Sequence, residues 1–448
     1  MEIISFPTPG LGDTSYLLVH DGLGVLVDAQ RDIDRFLAEA ARRDVDLRFV
    51  LETHLHNDYV SGGEQAALRS GAELVIPAAA APAYRHTPAF HLEDIKGDKG
   101  LSLRPIHTPG HTPEHTSYLV LIDGEPQAVF SGGSLLVAAA GRPDLLGPER
   151  AGTLARLQHG SLHRLADLPP EVALLPTHGA GSFCTTTGAL RTTSTIGDER
   201  ETNPLLAVPG VDEFAERLMA APAPIPAFYQ HMGPANTLGV PPMPPIAPPP
   251  LTPSDLDELP EDTVVVDLRP RIAASRGFLP GATLIELADD FGSWTGWLTP
   301  RDAPLVLVAE LDQDVTEAVT QLAQIGVDTV AGVITDPGEA AAAASFELLE
   351  LDDFLERLRD PNAQLLDVRM PSEREAVSVP GAVQQFLPDL FSSGIAPELD
   401  PAKPVHIACG SGRRALIAAS LLHRNGFTPV VLTGAGIAQL AATLEGAQ

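Results

Sequence analysis

The chain is 448 residues long, with 59 acidic and 29 basic side chains, 44% apolar and 20% charged residues. That composition excludes a disordered or fibrous chain, and at about 150 residues per domain it predicts about three folded domains. The net charge of −30 repels phosphate backbones and anionic lipid surfaces, which argues against nucleic-acid and membrane partners.

Two cysteines, Cys184 and Cys409, are too few for a disulfide framework. The opening MEIISFPTPG lacks a basic and an apolar signal region, and no run reaches the ~18 apolar residues that span a bilayer. A cytoplasmic protein with reduced thiols is the expectation. The sequence leaves a homo-oligomer open.

In chain order, short β segments (15–29) come first, broken by Gly and Asp turns. A helix over 32–43 follows, and then an apolar strand, LRFVLET (47–53), that runs into His54-Leu55-His56-Asn57-Asp58. The same strand-then-polar pattern recurs at LRPIHTPGH (103–111), QAVFSGGS (127–134) and VALLPTHGAGS (172–182). Layered α/β enzymes keep their chemistry on such loops. Two imidazoles at i and i+2 in an extended loop can turn toward one point, and His111 and His178 stand at similar strand ends. Imidazole suits Zn, Fe, Cu or Ni, and the neighbouring Asp58 carboxylate can orient a ligand or hold a second ion. Cys184, in GAGSFCTT, reads as a small structural residue.

Proline supplies twelve of the 32 residues from Pro222 to Pro253. Because proline removes donors and fixes φ, 222–253 is expected as an extended, semi-rigid linker. Within it, IPAFYQHMGPAN (225–236) is expected to pack across the edge of the preceding domain.

Beyond the linker the chain repeats itself. TVVVDLRPRIAASRGFLPGA (263–282) shares its grammar with AQLLDVRMPSEREAVSVPGA (363–382), and 304–327 aligns with 404–427 at an offset of 100. Each segment begins with an apolar strand, and strands alternating with amphipathic helices predict parallel α/β units. In the second copy Cys409-Gly410-Ser411-Gly412-Arg413-Arg414 joins a strand to a helix. Two glycines let the backbone curl its N–H groups around the sulfur. The helix N-terminus and two arginines add positive potential, which suits a low-pKa thiol or a persulfide anion. In the first copy Ala309 stands at the cysteine position and Glu310, Asp312 and Asp314 fill the loop, so a structural role is expected there.

The run THLHNDYVSGG (53–63), with TPGHTPEHTSY (108–118), FSGGSLLVAAAGRPDLLG (130–147) and LPTHGAGS (175–182), resembles the metallo-β-lactamase superfamily. The persulfide dioxygenase branch, related to glyoxalase II, is the nearest in pattern. The resemblance implies an αββα sandwich with the metal at one edge of its sheets. His54 and His111 match the two iron-ligating histidines of persulfide dioxygenases; His56, Asp58 and His178 match the other metal-region positions. One Fe(II) per chain is implied, with Zn as the alternative. Two positions depart from the pattern: Tyr59 replaces a further His, and Gly133 replaces the Asp that normally supplies a carboxylate. The third ligand must then come from His56 turning in, from Asp58 moving, or from a water.

The Cys409 loop, with Asp367-Val-Arg369 and Pro380-Gly381-Ala382 upstream, resembles the rhodanese active site. The implied architecture is α/β and α+β multidomain: a metallo-β-lactamase sandwich (1–221), the linker (222–253), an inactive rhodanese-like domain (254–340) and an active one (346–448), the last two as three-layer α/β folds. This order resembles bacterial persulfide dioxygenase–sulfurtransferase fusions. The implied partners are a low-molecular-weight thiol persulfide and sulfite or thiosulfate. Two alternatives remain for the N-terminal domain: a Zn-dependent thioester hydrolase of the glyoxalase II kind, and a metal-poor binding module.

Overall fold

The computed structural model describes residues 1–185, 193–220 and 223–446. The chain divides into two compact units, the first Met1–Pro244 with Ala323–Gly326 and the second Pro245–Leu322 with Val327–Gln448.

In the first unit, strands β1 (Glu2–Thr8), β2 (Asp13–His20), β3 (Leu23–Val27), β4 (Asp46–Leu51), β5 (Glu73–Pro77) and β6 (Thr87–Ala89) form one sheet in sequence order. It is antiparallel through β3 and parallel beyond. A second sheet is built from β7 (Ile95–Lys96), β8 (Leu101–His107), β9 (Thr116–Ile122) and β10 (Glu125–Gly132). A two-stranded piece, β11 (Leu135–Leu136) with β12 (Ala139–Ala140), intervenes before β13 (Ala173–Pro176) and β14 (Ser194–Thr195) complete that sheet in the order 14-13-10-9-8-7.

Side-chain alternation along these strands assigns the layers. Tyr16, Leu18, Phe49 and Leu51 face Tyr118, Val120 and Phe130 in the core between the sheets. Their neighbours point outward. Leu17, Leu26 and Val50 meet Phe36 and Ala40 of helix Asp34–Arg42 and Ala66 of helix Gly63–Ser70. Leu119, Leu121 and Val129 meet Leu162 and Leu165 of helix Pro148–Ala166 and Phe214 of helix Val211–Met219. The result is an αββα sandwich whose inner strands are covered on both faces, which is why they read as continuous apolar runs. Each fully buried large side chain contributes roughly 1.5–3 kcal/mol.

The second unit carries two parallel sheets. One contains β15 (Val264–Asp267), β16 (Thr283–Leu284), β17 (Leu305–Val308) and β18 (Val330–Ile334), ordered 16-15-17-18. The other contains β19 (Glu347–Leu349), β20 (Gln364–Asp367), β21 (Val383–Gln384), β22 (Pro404–Ala408) and β23 (Thr428–Leu432), ordered 19-23-22-20-21. Apart from β19, the second order repeats the first strand for strand.

The stretch expected as an extended linker contains helix Tyr229–Leu238, with Pro234 inside it. Tyr229, Met232 and Asn236 are buried along one face of that helix, and their packing outweighs the interior proline. Leu251, near the other end of the stretch, hydrogen-bonds its N–H to Val333 beside β18. No helix among the described residues is long and apolar enough to cross a membrane.

Candidate metal centre and cysteine loop

The polar clusters follow β4, β8, β10 and β13, and the structure brings them to one place. The His54 ring lies 4.9 Å from His111, 5.4 Å from His178, 4.1 Å from His56 and 5.0 Å from His115 by centroid. All five rings are buried. One nitrogen each from His54, His111 and His178 lies within 4.8 Å of the others, and His56, Asp58 and His178 form a second such group.

The two nitrogens of His56 differ: Nδ1 is buried without a hydrogen-bond partner, and Nε2 is engaged. Its Nε2 faces Asp28 at 3.3 Å, Glu52 at 3.2 Å and the Tyr59 hydroxyl at 3.0 Å. Charge is the physical reason. Burial disfavours protonation of His56, but the two buried carboxylates outweigh it and hold its pKa well above the usual imidazole range. In return, His56 outweighs burial at Asp28 and holds that carboxyl low. Tyr59, where the motif usually has a histidine, thus secures His56 with its hydroxyl. His178 instead stands beside His54 and His111.

His54, His111 and His178 are held neutral, above all by burial, and their pKa values are lowered. Asp58 places Oδ2 3.3 Å from His178 Nδ1 and accepts from the Cys184 thiol at 3.4 Å. Burial and the neighbouring Asp13 charge push Asp58 up to about 7, and burial pushes Asp13 to about 7. The Cys184 thiol is raised well above its ordinary pKa by burial and by Asp58 and Asp13, so it stays protonated. A cavity of about 230 Å³ borders Asp13 and His178, with Tyr16, Leu136, Val137 and Pro176 among its walls.

Several supporting groups had no distinct signal in the sequence. Asp13 opens β2 just after the Gly12 turn, Asp28 follows β3, Glu52 precedes the histidine run, and Asn236 belongs to the proline-rich stretch. Asn236 donates to the carbonyls of His56 and Tyr59 at 2.8 Å and accepts from the Ser61 N–H at 2.8 Å. The second histidine in TPGHTPEH, His115, was visible as a residue but not as a participant. Its Nε2 accepts the Gly133 N–H at 2.9 Å.

Among the buried atoms without a hydrogen-bond partner are His111 Nε2, His56 Nδ1 and Asp58 Oδ1. Orphaned acceptors beside converging imidazoles fit a metal ion. Asp58, His178 and His56 all lie within reach of such a site.

In the second unit, β22 ends at Ala408 and Cys409 begins the turn into helix Arg413–Arg424. Gly412 adopts φ +87°, a conformation that favours glycine, and donates its N–H to the Cys409 sulfur at 3.1 Å. Gly410 and Ser411 form the rest of the curl, and Arg271 donates to the Ser411 carbonyl at 2.8 Å. Both loop arginines are engaged by carboxylates: Arg413 with Asp290 at 2.8 Å, and Arg414 with both oxygens of Glu373. The loop's positive potential is therefore partly neutralised, while the backbone donor reaches the sulfur directly. In the first copy Ala309 is buried at the end of β17, followed by exposed Glu310.

The chain thus combines a layered sandwich with histidines at one edge and a cysteine at a strand–loop–helix turn. Residues 8–178 match the Metallo-beta-lactamase superfamily and residues 350–443 match the Rhodanese-like domain, so the chain carries a domain of each. A metallo-beta-lactamase from Staphylococcus aureus superposes with TM-score 0.66 at 26% identity, covering 75% of this chain and 98% of that one. ETHE1 from Myxococcus xanthus aligns at 27% identity and TM-score 0.46 over 53% of this chain and 98% of its own. A hydroxyacylglutathione hydrolase from Maricaulis maris is 33% identical over 187 residues, 40% of this chain and 66% of the relative.

Proposed function

We propose that this chain processes sulfane sulfur at two sites: a mononuclear metal centre that oxidises a low-molecular-weight thiol persulfide, and Cys409, which carries sulfur as a persulfide. The observation that carries the reading is the Cys409 loop, where a backbone N–H already lies 3.1 Å from the sulfur. Residues 254–340 are read as a second rhodanese-type copy without its thiol, the boundaries falling where the strand order repeats.

At Cys409 the thiolate attacks the outer sulfur of the donor. The new S–S bond forms as the donor S–S bond breaks, and the leaving thiolate or sulfite takes the electron pair. Gly412 N–H and the helix N-terminus stabilise the negative sulfur. Sulfite or another thiol then attacks the terminal sulfur, releasing thiosulfate or a new persulfide and restoring Cys409.

In the first unit a bound metal would supply an open position for substrate and an oxidant. Around it Tyr16, Leu136 and Val137 line the adjoining cavity, and burial holds His54, His111 and His178 neutral. Iron is the ion this reading takes. One observation favours a second reading, a Zn-dependent thioester hydrolase: imidazoles converge without a carboxylate at Gly133, a set that also suits zinc, and a relative is named for that hydrolysis.

The test is metal content of protein purified without air, followed by oxygen uptake with a thiol persulfide and by thiosulfate-dependent transfer in wild type and Cys409→Ser. Iron with persulfide-dependent oxygen uptake, and transfer lost in the variant, supports the proposal. Zinc with thioester cleavage moves the first unit to the second reading. Retained transfer in Cys409→Ser overturns the cysteine assignment.

A further inference from the structure

The Ser411–Gly412 peptide is gripped from both sides. Its N–H donates to the Cys409 sulfur at 3.1 Å, and its carbonyl accepts from Arg271 Nη1 at 2.8 Å. The C=O and N–H of one planar peptide are conjugated and point in opposite directions. A cation drawing on the oxygen therefore polarises the N–H toward the sulfur. Arg271 is itself fixed. Glu286 accepts its backbone N–H at 3.1 Å and its Nε at 2.8 Å, and pairs with its Nη2 at 2.6 Å. That hold directs Nη1 at the carbonyl. An ideal Cβ on Gly412 would lie 2.8 Å from the same Nη1, so the glycine also makes room for the guanidinium.

Arg271, Glu286 and the Asp290 that pairs with Arg413 all belong to the copy with Ala309 in place of the cysteine. The copies keep an offset of 100 residues through their strands, β15 with β20, β16 with β21 and β17 with β22. At that offset the second copy has Pro371, Phe386 and Leu390, whose side chains cannot return these contacts. The counterpart of Ser411 in the first copy is Leu311, which is 79% exposed. The polar groups thus stand only on the side that serves the thiol. We propose that the thiol-less copy builds part of the cysteine site: Arg271, held by Glu286, is the positioning residue for the Ser411–Gly412 peptide and through it sets the reactivity of Cys409. This deepens the Cys409 arm of the proposed function and rests on it. A charged donor makes a hydrogen bond roughly twice as strong as a neutral one, so the loss of Arg271 should be felt at the sulfur.

The test is alkylation of Cys409 by iodoacetamide across a pH series in the full chain, read by peptide mass spectrometry. Wild type is compared with two removals, Arg271→Gln and Arg271→Met, and with Arg271→Lys, which keeps the cation. Cys184 is buried and reports unfolding if it reacts. At about pH 7 each removal should react about 5–10-fold more slowly than wild type. Both should reach the wild-type rate near about pH 10, where a thiolate forms without help. Arg271→Lys should stay within about threefold of wild type. A merely structural role predicts the opposite. Cys409 is 1% exposed, so a loosened loop would speed alkylation at every pH. Unchanged or faster alkylation in the removals, or equal slowing in Arg271→Lys, overturns the proposal. Thiosulfate-dependent transfer is measured alongside. Alkylation as expected in a wild type that transfers no sulfur upholds Arg271 and removes the sulfur-carrier reading. Transfer by wild type, with alkylation indifferent to Arg271, overturns the positioning role alone.

Discussion

Gly133 and His111 approach so closely that an ideal Cβ on the glycine would stand 2.3 Å from the ring's Cδ2. Side-chain atoms in a close-packed interior do not share such space, so a substitution must move the ring or the strand end. The Gly133 N–H is also committed to His115 Nε2 at 2.9 Å, which resists a shift of the backbone. Gly133→Asp is thus expected to destabilise the chain by about 1–3 kcal/mol and to weaken metal binding, although it restores the residue usual at that place. Urea unfolding and cobalt titration check this. Unchanged stability with tighter binding would show that His111 yields easily and that the carboxylate was merely absent.

The two arginines after Cys409 differ in what their loss removes. Arg414 and Glu373 are 16% and 31% exposed, whereas Arg413 and Asp290 are 38% and 35% exposed. Charge-assisted bonds in the sheltered pair are worth about 1.5–3 kcal/mol, and removing Arg414 leaves the Glu373 carboxylate without that cation, held only by the Met370 N–H at 3.1 Å. Arg414→Ala should lower kcat/KM for thiosulfate about 10–100-fold. The more exposed Arg413 pair is worth about 0–1 kcal/mol, so Arg413→Ala should cost no more than about fivefold. Equal losses would mean that Arg413 touches the substrate itself.

What the sequence made legible was local or periodic. Asp-x-Arg recurs at 267–269 and 367–369, and both copies fold it into the same buried ion pair, at 2.6 and 2.7 Å. The following Pro-Gly-Ala turns place Gly281 and Gly381 at φ +84° and +82°. Strand-end histidines were equally visible, because an apolar run followed by polar residues is a one-dimensional pattern. Which histidine joins His54 and His111 was not, since it depends on carboxylates remote in sequence. Asp13 lies 165 positions from the His178 it holds, and Asp28 precedes His56 by a whole helix and strand. Helix Tyr229–Leu238 was hidden for another reason: proline-rich composition argues for extended chain, and only the tertiary burial of Tyr229, Met232 and Asn236 reverses that preference.

Asn236 ties that helix to the histidine loop. One side chain satisfies the carbonyls of His56 and Tyr59 and the N–H of Ser61, and it is 3% exposed. Asn236→Ala leaves three backbone groups to find other partners, at an expected cost of about 2–5 kcal/mol. Asn236→Asp should be no better, because it keeps the acceptor for Ser61 but turns a second oxygen toward two carbonyls. Hydrogen exchange at the Ser61 amide should accelerate in both variants before global unfolding does. Protection unchanged in Asn236→Ala would show that the loop stands without this link.

His115 sets a pH dependence whose sign can be worked out. Burial, with His178 and His56 adding to it and Asp28 opposing, pushes its pKa to about 3. Its Nε2 accepts the Gly133 N–H and its Nδ1 faces the Thr108 hydroxyl at 2.9 Å, so the folded site has no place for a second ring proton. An unfolded chain protonates this histidine near pH 6.5. Its contribution to stability is therefore complete above about 6.5 and is lost as the pH falls toward 3, at about 1.4 kcal/mol per pH unit. In metal-free protein the stability gap between wild type and His115→Gln should shrink by about 2–3 kcal/mol between pH 6.5 and 4.5, measured by urea unfolding at each pH. Parallel curves would mean that the folded ring titrates normally and that the Gly133 N–H does not depend on its lone pair.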